Sequence, residues 1–177
     1  MPSSYIDCVE CPYVHGRHLP EVTKALQSHP LSLENNGSRT LLIFQAPGLK
    51  EWESGKPISS ESVQSAGGKL RLAFDHLGKK RTDYNISNVV QCFPGKRAPS
   101  GNNEPRDKSP PKAVRSACSK WLRKDISEGN YARVVVFGRH AEKAVKEIGY
   151  EKDSRFVFVP HPTASGVSID TLKLHLG

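Results

Sequence analysis

Two side chains suited to different chemistry follow one short apolar stretch of this chain. Residues 84–90 are rich in strand-forming Tyr, Ile and Val; they include Asn88, and Cys92 follows them closely. The amide of Asn88 offers a donor and an acceptor together, as reading the edge of a base requires, whereas a cysteine thiolate is a soft metal ligand. Because ligands of open α/β sheets bind at the carboxyl ends of strands, this stretch predicts a binding site.

The chain contains four cysteines, and their chemistry depends on where the protein works. Cys8 and Cys11 form a C-x-x-C turn in an N-terminal segment, residues 1–16, whereas Cys92 and Cys118 lie far along the chain. Nothing resembles a signal peptide or a membrane-spanning run, so we expect a cytoplasmic protein without a membrane partner, where disulfides are disfavoured. Metal binding is then the main alternative to four unrelated buried thiols. The number suits a [4Fe–4S] cluster; zinc is the other candidate, although structural zinc sites more often pair two C-x-x-C turns.

Positive charge is concentrated in one region of the chain. Residues 95–124 carry nine basic side chains against two acids, which accounts for seven of the eight net positive charges. The basic residues are Lys96, Arg97, Arg106, Lys108, Lys112, Arg115, Lys120, Arg123 and Lys124. A localised patch favours contact with phosphates, and we interpret residues 95–111 as a basic loop insertion that contacts nucleic acid. A merely solvated basic surface is the alternative that charge alone leaves open.

Strands and helices alternate along the chain. Continuous apolar runs, as expected for strands covered on both faces, lie at residues 40–44, 84–90, 133–137 and 156–159. Helical apolar spacing predicts helices at 19–29, 66–77, 112–126 and 139–148, and a short helix or strand at 167–176. Residues 49–65 have the composition of a long polar loop. This alternation predicts one α/β domain, residues 1–177: a three-layer α/β/α sandwich with a central, mostly parallel four-stranded sheet.

Polar motifs follow three of the predicted strands. Gln45–Gly48 (QAPG) follows the first, Asn88 and Cys92 close the second, and His161–Thr163 (HPT) follows the last. Because the carboxyl ends of parallel strands share one edge of a sheet, we expect the three motifs to line one cleft.

In their order and placement, these motifs resemble those of the iron–sulfur (family 4) uracil-DNA glycosylases, members of the uracil-DNA glycosylase superfamily. The resemblance runs from Cys8 to about Thr163. The family's motifs G-E-A/G-P-G, G-x-P-F, A-G-x-L-L, T-N-V-V-K-C-R-P-P, C-x-x-W-L and H-P-S correspond here to Phe44–Gly48, Gly55–Ile58, Ala66–Leu70, Ser87–Pro94, Cys118–Leu122 and His161–Thr163.

The resemblance implies an activity and a cofactor. Such an enzyme flips a uracil or another modified pyrimidine out of DNA and hydrolyses its N-glycosidic bond, leaving an abasic site without a covalent lysine intermediate. It also implies that Cys8, Cys11, Cys92 and Cys118 hold a [4Fe–4S] cluster that attaches the N-terminal segment to the sheet. A monomer that acts on DNA is expected.

The resemblance also implies roles for individual residues. Glu51 would orient or deprotonate the attacking water, His161 would donate to O2 of the leaving base, and Gln45 belongs to the same catalytic set. The base would be bound by Asn88, Gln45, Ala46, Ile58 and Thr163, and DNA by Lys50, Lys69, Arg97 and Ser165. The alternatives are an Asn88 that merely ends a strand and a Glu51 that is a solvated loop acid.

Four departures from the family pattern all affect the pocket or the flipping of the base. Gln45 replaces the usual Glu, and Ile58 occupies the place of a Phe that stacks on the base, where stacking is worth roughly 1–3 kcal/mol. Extra residues within 59–65 lengthen the pocket loop, and Ser165 and Gly166 stand where related enzymes carry a bulky wedge. These changes favour a bulky modified cytosine of phage DNA as an alternative substrate, in anti-phage defence. A non-catalytic DNA-binding member of the fold, or an unrelated metal-bearing α/β enzyme, are the other classes.

Overall fold

The computed structural model describes residues 8–13, 30–98 and 105–177, with a parallel sheet at the centre. Its strands are β1 (Thr40–Phe44), β2 (Asn85–Asn88), β3 (Arg133–Phe137) and β4 (Phe156–Val159). Three strands have the predicted bounds, because each is a continuous apolar run. β2 is shorter than predicted, since Val89 and Val90 continue into a loop where their N–H groups donate to the carbonyls of Phe44 and Gln45 at 2.8 and 3.0 Å.

The strands are ordered β2-β1-β3-β4, and every pairing is parallel. Phe44 at the end of β1 pairs with Asn88 at the end of β2, and Phe137 at the end of β3 pairs with Val159 at the end of β4. The carboxyl ends of all four strands therefore meet at one edge of the sheet, which confirms the predicted α/β fold and the shared edge of the three motifs.

Helices connect the strands. They are α1 (Leu49–Ser54), α2 (Ala66–His76), α3 (Lys112–Glu128), α4 (Arg139–Glu147) and α5 (Ile169–Leu176), and a 3-10 turn lies at Arg81–Asp83. The prediction of an uninterrupted loop over 49–65 was wrong at its start, where α1 forms. This helix buries Trp52 completely and ends at Gly55 in the left-handed region, at φ 70°. One buried ring in a short polar helix gives no apolar periodicity for sequence reasoning to detect.

The two faces of the sheet carry separate apolar cores. Residues 41, 43, 134 and 136 of the strands pack with α3 and α4 on one face, which we call the α3–α4 face. Residues 42, 44, 135 and 137 pack with α2 and α5 on the other, the α2–α5 face. The alternation of side chains along each strand sorts the residues between the two cores, and helices on both faces complete the three layers.

Some predicted segments lie outside the described residues. These are the helix at 19–29, most of the N-terminal segment 1–16 and residues 99–104 of the basic loop. The described ends of that loop form a short ribbon in which Lys96 pairs with Asp107 in antiparallel fashion. Within the described ranges, no helix has both the length and the apolar character to cross a membrane.

Candidate active site

Side chains of β2 alternate between the two faces of the sheet. The hydroxyl of Ser87 donates to the carboxylate of Asp125 on α3 at 2.7 Å, so Ser87 lies on the α3–α4 face. Ile86 belongs to the core of the α2–α5 face. Asn88 therefore points to the α2–α5 face, beside its register partner Phe44.

Asn88 is buried, and no described residue hydrogen-bonds its amide. Its side chain is 1% exposed, and neither Nδ2 nor Oδ1 has a hydrogen-bond partner among the described residues. A buried polar group left unpaired costs roughly 1–3 kcal/mol, so such groups are rare in native proteins. A ligand edge that offers both a donor and an acceptor would satisfy the two atoms at once.

His161 follows β4 and meets the same row of side chains. Its ring lies edge-on to the ring of Phe44, with the centroids 6.4 Å apart and an interplanar angle of 87°. Phe44 in turn stacks on Phe137 at 4.7 Å. Asn88 is the cross-strand neighbour of Phe44 and His161 is its ring partner, so both side chains belong to the α2–α5 face at the carboxyl edge of the sheet.

The loop after β4 fixes which nitrogen of His161 carries the proton. The backbone N–H of Thr163, which can only donate, lies 3.3 Å from Nδ1, and the hydroxyl of Thr163 lies 2.9 Å from the same atom. Nδ1 is therefore the acceptor, and the neutral ring carries its proton on Nε2. Burial, and then the positive charge of Lys69, lower the pKa of His161 below its usual 6.5, which favours this neutral form at neutral pH.

Gly138 allows the loop that carries His161 to pack closely against the end of β3. This glycine connects β3 to α4 at φ 87°, in the left-handed region that only glycine adopts easily. A Cβ at position 138 would lie 3.1 Å from the Cβ of His161. Both the backbone conformation and the close approach thus require glycine.

The loop after β1 and helix α1 carry two further residues that the sequence predicted for the site. Gln45 lines a cavity of about 660 Å³ together with His161 and Gly138. Glu51, in the first turn of α1, folds its carboxylate back against Gly48, into the space that a side chain at position 48 would fill. Ala46, in contrast, packs against the core of the α3–α4 face.

The predicted DNA-binding residues differ in their hydrogen bonds to the rest of the protein. Lys50, Arg97 and Ser165 are exposed. The ammonium of Lys69 lies 3.4 Å from the carbonyl of Val167, and this hydrogen bond connects α2 to the loop that carries His161. The hydroxyl of Thr163 hydrogen-bonds the imidazole of His161, so in this structure Thr163 contacts another side chain of the site.

The four cysteines are buried on the α3–α4 face, in one core. Burial, and then the charges of Cys11 and Cys8, raise the pKa of the Cys92 thiol; a hydrogen bond with Cys11, and then burial, raise the pKa of Cys118. Four thiols that influence one another in this way lie close together, and four sulfurs are a suitable donor set for an iron–sulfur cluster. In the arrangement described for residues 8–13, 30–98 and 105–177, no three His, Cys, Asp or Glu side chains form a site for a metal ion.

Sequence reasoning missed three residues that shape the site. Asp107 of the basic ribbon points one carboxylate oxygen towards Gly48, beside Glu51, while the other lies 2.8 Å from the ammonium of Lys96. Arg81 binds the loop that carries Ile58. Gly138 supports His161. The only sequence signals were an acid within a basic loop and a glycine directly after a strand, and both are common.

The fold and the site together define a class: an α/β protein with a neutral histidine and an amide that no described residue pairs, both at the carboxyl edge of a parallel sheet. A model of the Uracil DNA glycosylase superfamily matches residues 31–170. The chain belongs to this superfamily, as its motifs predicted.

Curated relatives of the chain carry a more specific name. A "Type-4 uracil-DNA glycosylase" of Pyrobaculum aerophilum is 31% identical over 108 residues, which cover 61% of this chain and 48% of the relative. Proteins with the same name from Saccharolobus solfataricus (32% identity, 60% of this chain, 44% of the relative) and Sulfurisphaera tokodaii (29%, 59% and 42%) are also similar. The matches thus span about half the length of these relatives.

We predict that Gly138→Ala disturbs His161, because the added methyl meets its Cβ. We expect a loss of about 1–2 kcal/mol of stability from the left-handed backbone together with a changed titration of the His161 ring, measured by urea denaturation and NMR. Gly149→Ala is the matched control, since Gly149 has a similar φ of 95° but nothing within 4 Å of its would-be Cβ. An unchanged His161 titration in Gly138→Ala would contradict the prediction.

We predict that His161 makes folding stability depend on pH. Its pKa is lower in the folded protein than in the unfolded chain, so below about pH 6.5 the unfolded chain binds more protons and the free energy of unfolding falls as the pH falls. His161→Gln should remove this component while leaving the rest of the pH profile in place. Urea titrations between about pH 5 and 8 test this, and superimposable slopes for the two proteins would refute it.

Proposed function

We propose that this protein is a monofunctional DNA glycosylase that flips a uracil or another modified pyrimidine out of DNA and hydrolyses its N-glycosidic bond. The observation that carries the proposal is the amide of Asn88, which is buried and unpaired beside the row that leads to His161. Membership of the superfamily and relatives named uracil-DNA glycosylases support it. A pyrimidine flipped out of the helix presents an edge with a donor and an acceptor, which would pair with the two atoms of this amide.

The amide of Asn88 suits more than one pyrimidine. Uracil presents a donor at N3 and an acceptor at O4, which match Oδ1 and Nδ2; with the amide turned over, the same two atoms match N3 and the amino group of cytosine. Since no described residue hydrogen-bonds this amide, no protein contact in the described part of the chain selects one orientation. Asn88 therefore reads a pyrimidine edge, and the other walls of the pocket decide which pyrimidine fits.

His161 stabilises the leaving base. With Nδ1 occupied by Thr163, the remaining donor is Nε2–H, and its target is the base O2, where negative charge develops as the glycosidic bond breaks. A donor already held in place needs no reorganisation in the transition state. The lowered pKa of His161 keeps this arrangement intact at neutral pH, because protonation of Nδ1 would turn the acceptor of two hydrogen bonds into a donor.

Glu51 provides the base for the attacking water. Its carboxylate takes a proton while the water oxygen bonds to C1′ and the electron pair of the N-glycosidic bond leaves with the nucleobase. The negative charge also steadies the positive charge that develops on the sugar. Water is the nucleophile, so the products are the free base and an abasic site, and no covalent enzyme intermediate forms. Gln45 lines the same cavity as His161 and completes the catalytic set.

DNA is the proposed partner of the basic side of the molecule. The exposed Lys50, Arg97 and Ser165, together with Lys69, would contact backbone phosphates around the flipped nucleotide. The charge of residues 95–124 favours a polyanion there. We further propose a cytoplasmic monomer.

The four cysteines would hold a [4Fe–4S] cluster. They fit it as a set of four buried thiols in one core, two from segment 8–13, one after β2 and one from α3. This core lies on the opposite face of the sheet from Asn88, so the bound group would serve the structure, joining the N-terminal segment to the sheet. Tyr13, 2% exposed in the same core, shows that the segment already packs there.

A bulky modified cytosine is the second candidate substrate, with a role in defence against phage. The observation that favours it is Ile58, which is buried where the family's motif has a stacking aromatic. An aliphatic side chain gives up stacking energy, and a longer loop surrounds it, so a base other than plain uracil is a consistent substrate.

The decisive experiment is an excision assay. The protein is incubated with oligonucleotides that contain uracil, 5-hydroxymethylcytosine or a glucosylated cytosine, and alkali then cleaves any abasic site. We expect strand breaks at uracil or at a modified cytosine, and a loss of activity of at least about 100-fold in Asn88→Ala, since a site built to hydrogen-bond its substrate loses heavily when one partner is removed.

The controls separate the remaining classes. Asn85→Ala changes another buried asparagine of β2, on the opposite face, and should leave excision of a folded protein unchanged. Binding without breaks would indicate a non-catalytic DNA-binding protein. If the protein neither binds nor cleaves these oligonucleotides, the proposal is refuted.

We predict that the protein purified without oxygen contains iron and sulfide and has a visible absorption band. Cys118→Ser should lose the iron and lower the free energy of unfolding, because a metal group that binds only the folded chain stabilises it. Ser116→Ala on an exposed position of the same helix is the control. Bound zinc without iron, or four sulfurs that retain neither, would contradict the cluster.

A further inference from the structure

Ile58 has a backbone conformation that a β-branched residue rarely adopts. Its φ is 50°, and among the described residues it is the sole non-glycine with a positive φ. The side chain is nonetheless buried, at 8% exposure. A conformation of this kind persists only where the surroundings hold it, and such residues gather at functional sites.

Arg81 holds the backbone of this residue. Its guanidinium donates to the carbonyl of Ile58 at 2.9 Å and to the carbonyl of Pro57. The same guanidinium donates to both carboxylate oxygens of Glu34, at 2.8 and 2.6 Å. A planar fork that binds two carbonyls and a carboxylate together leaves the loop little freedom to rotate.

The two charged residues are themselves fixed to the sheet. Arg81 lies in the 3-10 turn directly before β2, and Glu34 pairs with Ile86 of β2 through hydrogen bonds of 2.9 and 3.0 Å. Burial disfavours the charge of Glu34, but the hydrogen bonds and charge of Arg81 outweigh it and lower the pKa of this carboxyl. The ion pair therefore connects the loop of Ile58 to an edge of the sheet.

Polar contacts and apolar packing both hold this loop, since Ile58 also belongs to the core of the α2–α5 face. A cavity of about 880 Å³ borders it, lined by Ile58, Arg81 and Glu34 together with Leu70, Phe74 and Ile86. On its other side the loop presses against the start of α2, where a Cβ on Gly67 would lie 2.8 Å from the carbonyl of Ile58. With open space on one side, the contacts of Arg81 add to this packing in fixing the backbone of Ile58.

We propose that Arg81 and Glu34 are positioning residues that hold Ile58 as a fixed wall of the base pocket and so set which bases are accepted. The inference rests on the proposed function. Neither residue needs to touch the base, because both act through the backbone of residues 57 and 58. Holding the main chain also explains how an aliphatic residue can occupy a place built for a stacking ring without collapse of the loop.

The first test compares excision of two bases. Arg81→Gln removes the charged fork, and we expect the ratio of single-turnover rates on uracil and 5-hydroxymethyluracil to move towards one by about fivefold or more, the scale on which pocket fit discriminates substrates. Arg81→Lys should not restore the ratio, since lysine lacks the fork. Arg71→Gln is the matched control: Arg71 borders the same cavity, is exposed and makes no ion pair within the described residues.

The second test uses stability and does not depend on activity. Glycine adopts a positive φ without strain, so Arg81→Gln should lower the urea midpoint more in a protein that carries Ile58→Gly than in the natural protein, where relaxation of the strained Ile58 recovers part of the lost stability. Additive effects of the two substitutions, or an equal loss of rate on both bases, would overturn the proposal. If the natural protein excises no base at all, the proposed function fails, and the proposed role in base selection fails with it. The non-additive effect of the two substitutions on stability still decides whether Arg81 holds Ile58.

Discussion

The parallel register of the central sheet is the constraint on which the site depends. It aligns Asn88, Phe44, Phe137 and Val159 as the last row of side chains on one face. Because side chains alternate along each strand, that row cannot also reach the other face, where the cysteines lie. A slip of β2 by one residue would exchange Asn88 with Ser87 and place the amide in the wrong core. The separation of the proposed base reader from the proposed cluster ligands thus follows from strand pairing.

Several features of the candidate site cost stability. Asn88 has a donor and an acceptor that no described residue pairs, Ile58 holds a strained φ, and Gly138 leaves no room for a side chain next to His161. Each of these features lowers stability in the absence of a ligand, and the well-packed sheet compensates for the loss. Features of this kind are typical of functional sites, and those at Asn88 and beside His161 agree with the position of the superfamily's motifs.

Local patterns predicted most of the fold, and contacts between distant residues explain what they missed. The runs at β1, β3 and β4 specify their own strands because four or five consecutive apolar residues allow only a covered strand. Helix α1 was missed because Trp52 is its single buried residue. For the site, the motifs pointed to Asn88 and His161. They gave no sign of Arg81 on Ile58 or of Asp107 beside Glu51, since those pairs are more than twenty residues apart and only the folded chain brings them together.

The exchange of an aromatic ring for Ile58 shifts the balance of forces in the proposed pocket. Stacking contributes roughly 1–3 kcal/mol per base and distinguishes bases poorly, because every base has a π-face. Hydrogen bonds to a buried amide distinguish bases well, because a wrong edge leaves the amide unpaired. A pocket with an aliphatic wall and a sealed Asn88 therefore relies on the edge of the base more than on its face. In such a pocket the position of Ile58 matters as much as its chemistry. The amide of Asn88 accepts different bases in its two orientations, and a mobile Ile58 would exclude none of them. This gives a physical reason for the fork of Arg81 and the carboxylate of Glu34 behind a residue that, by its own preference, would not stay in place.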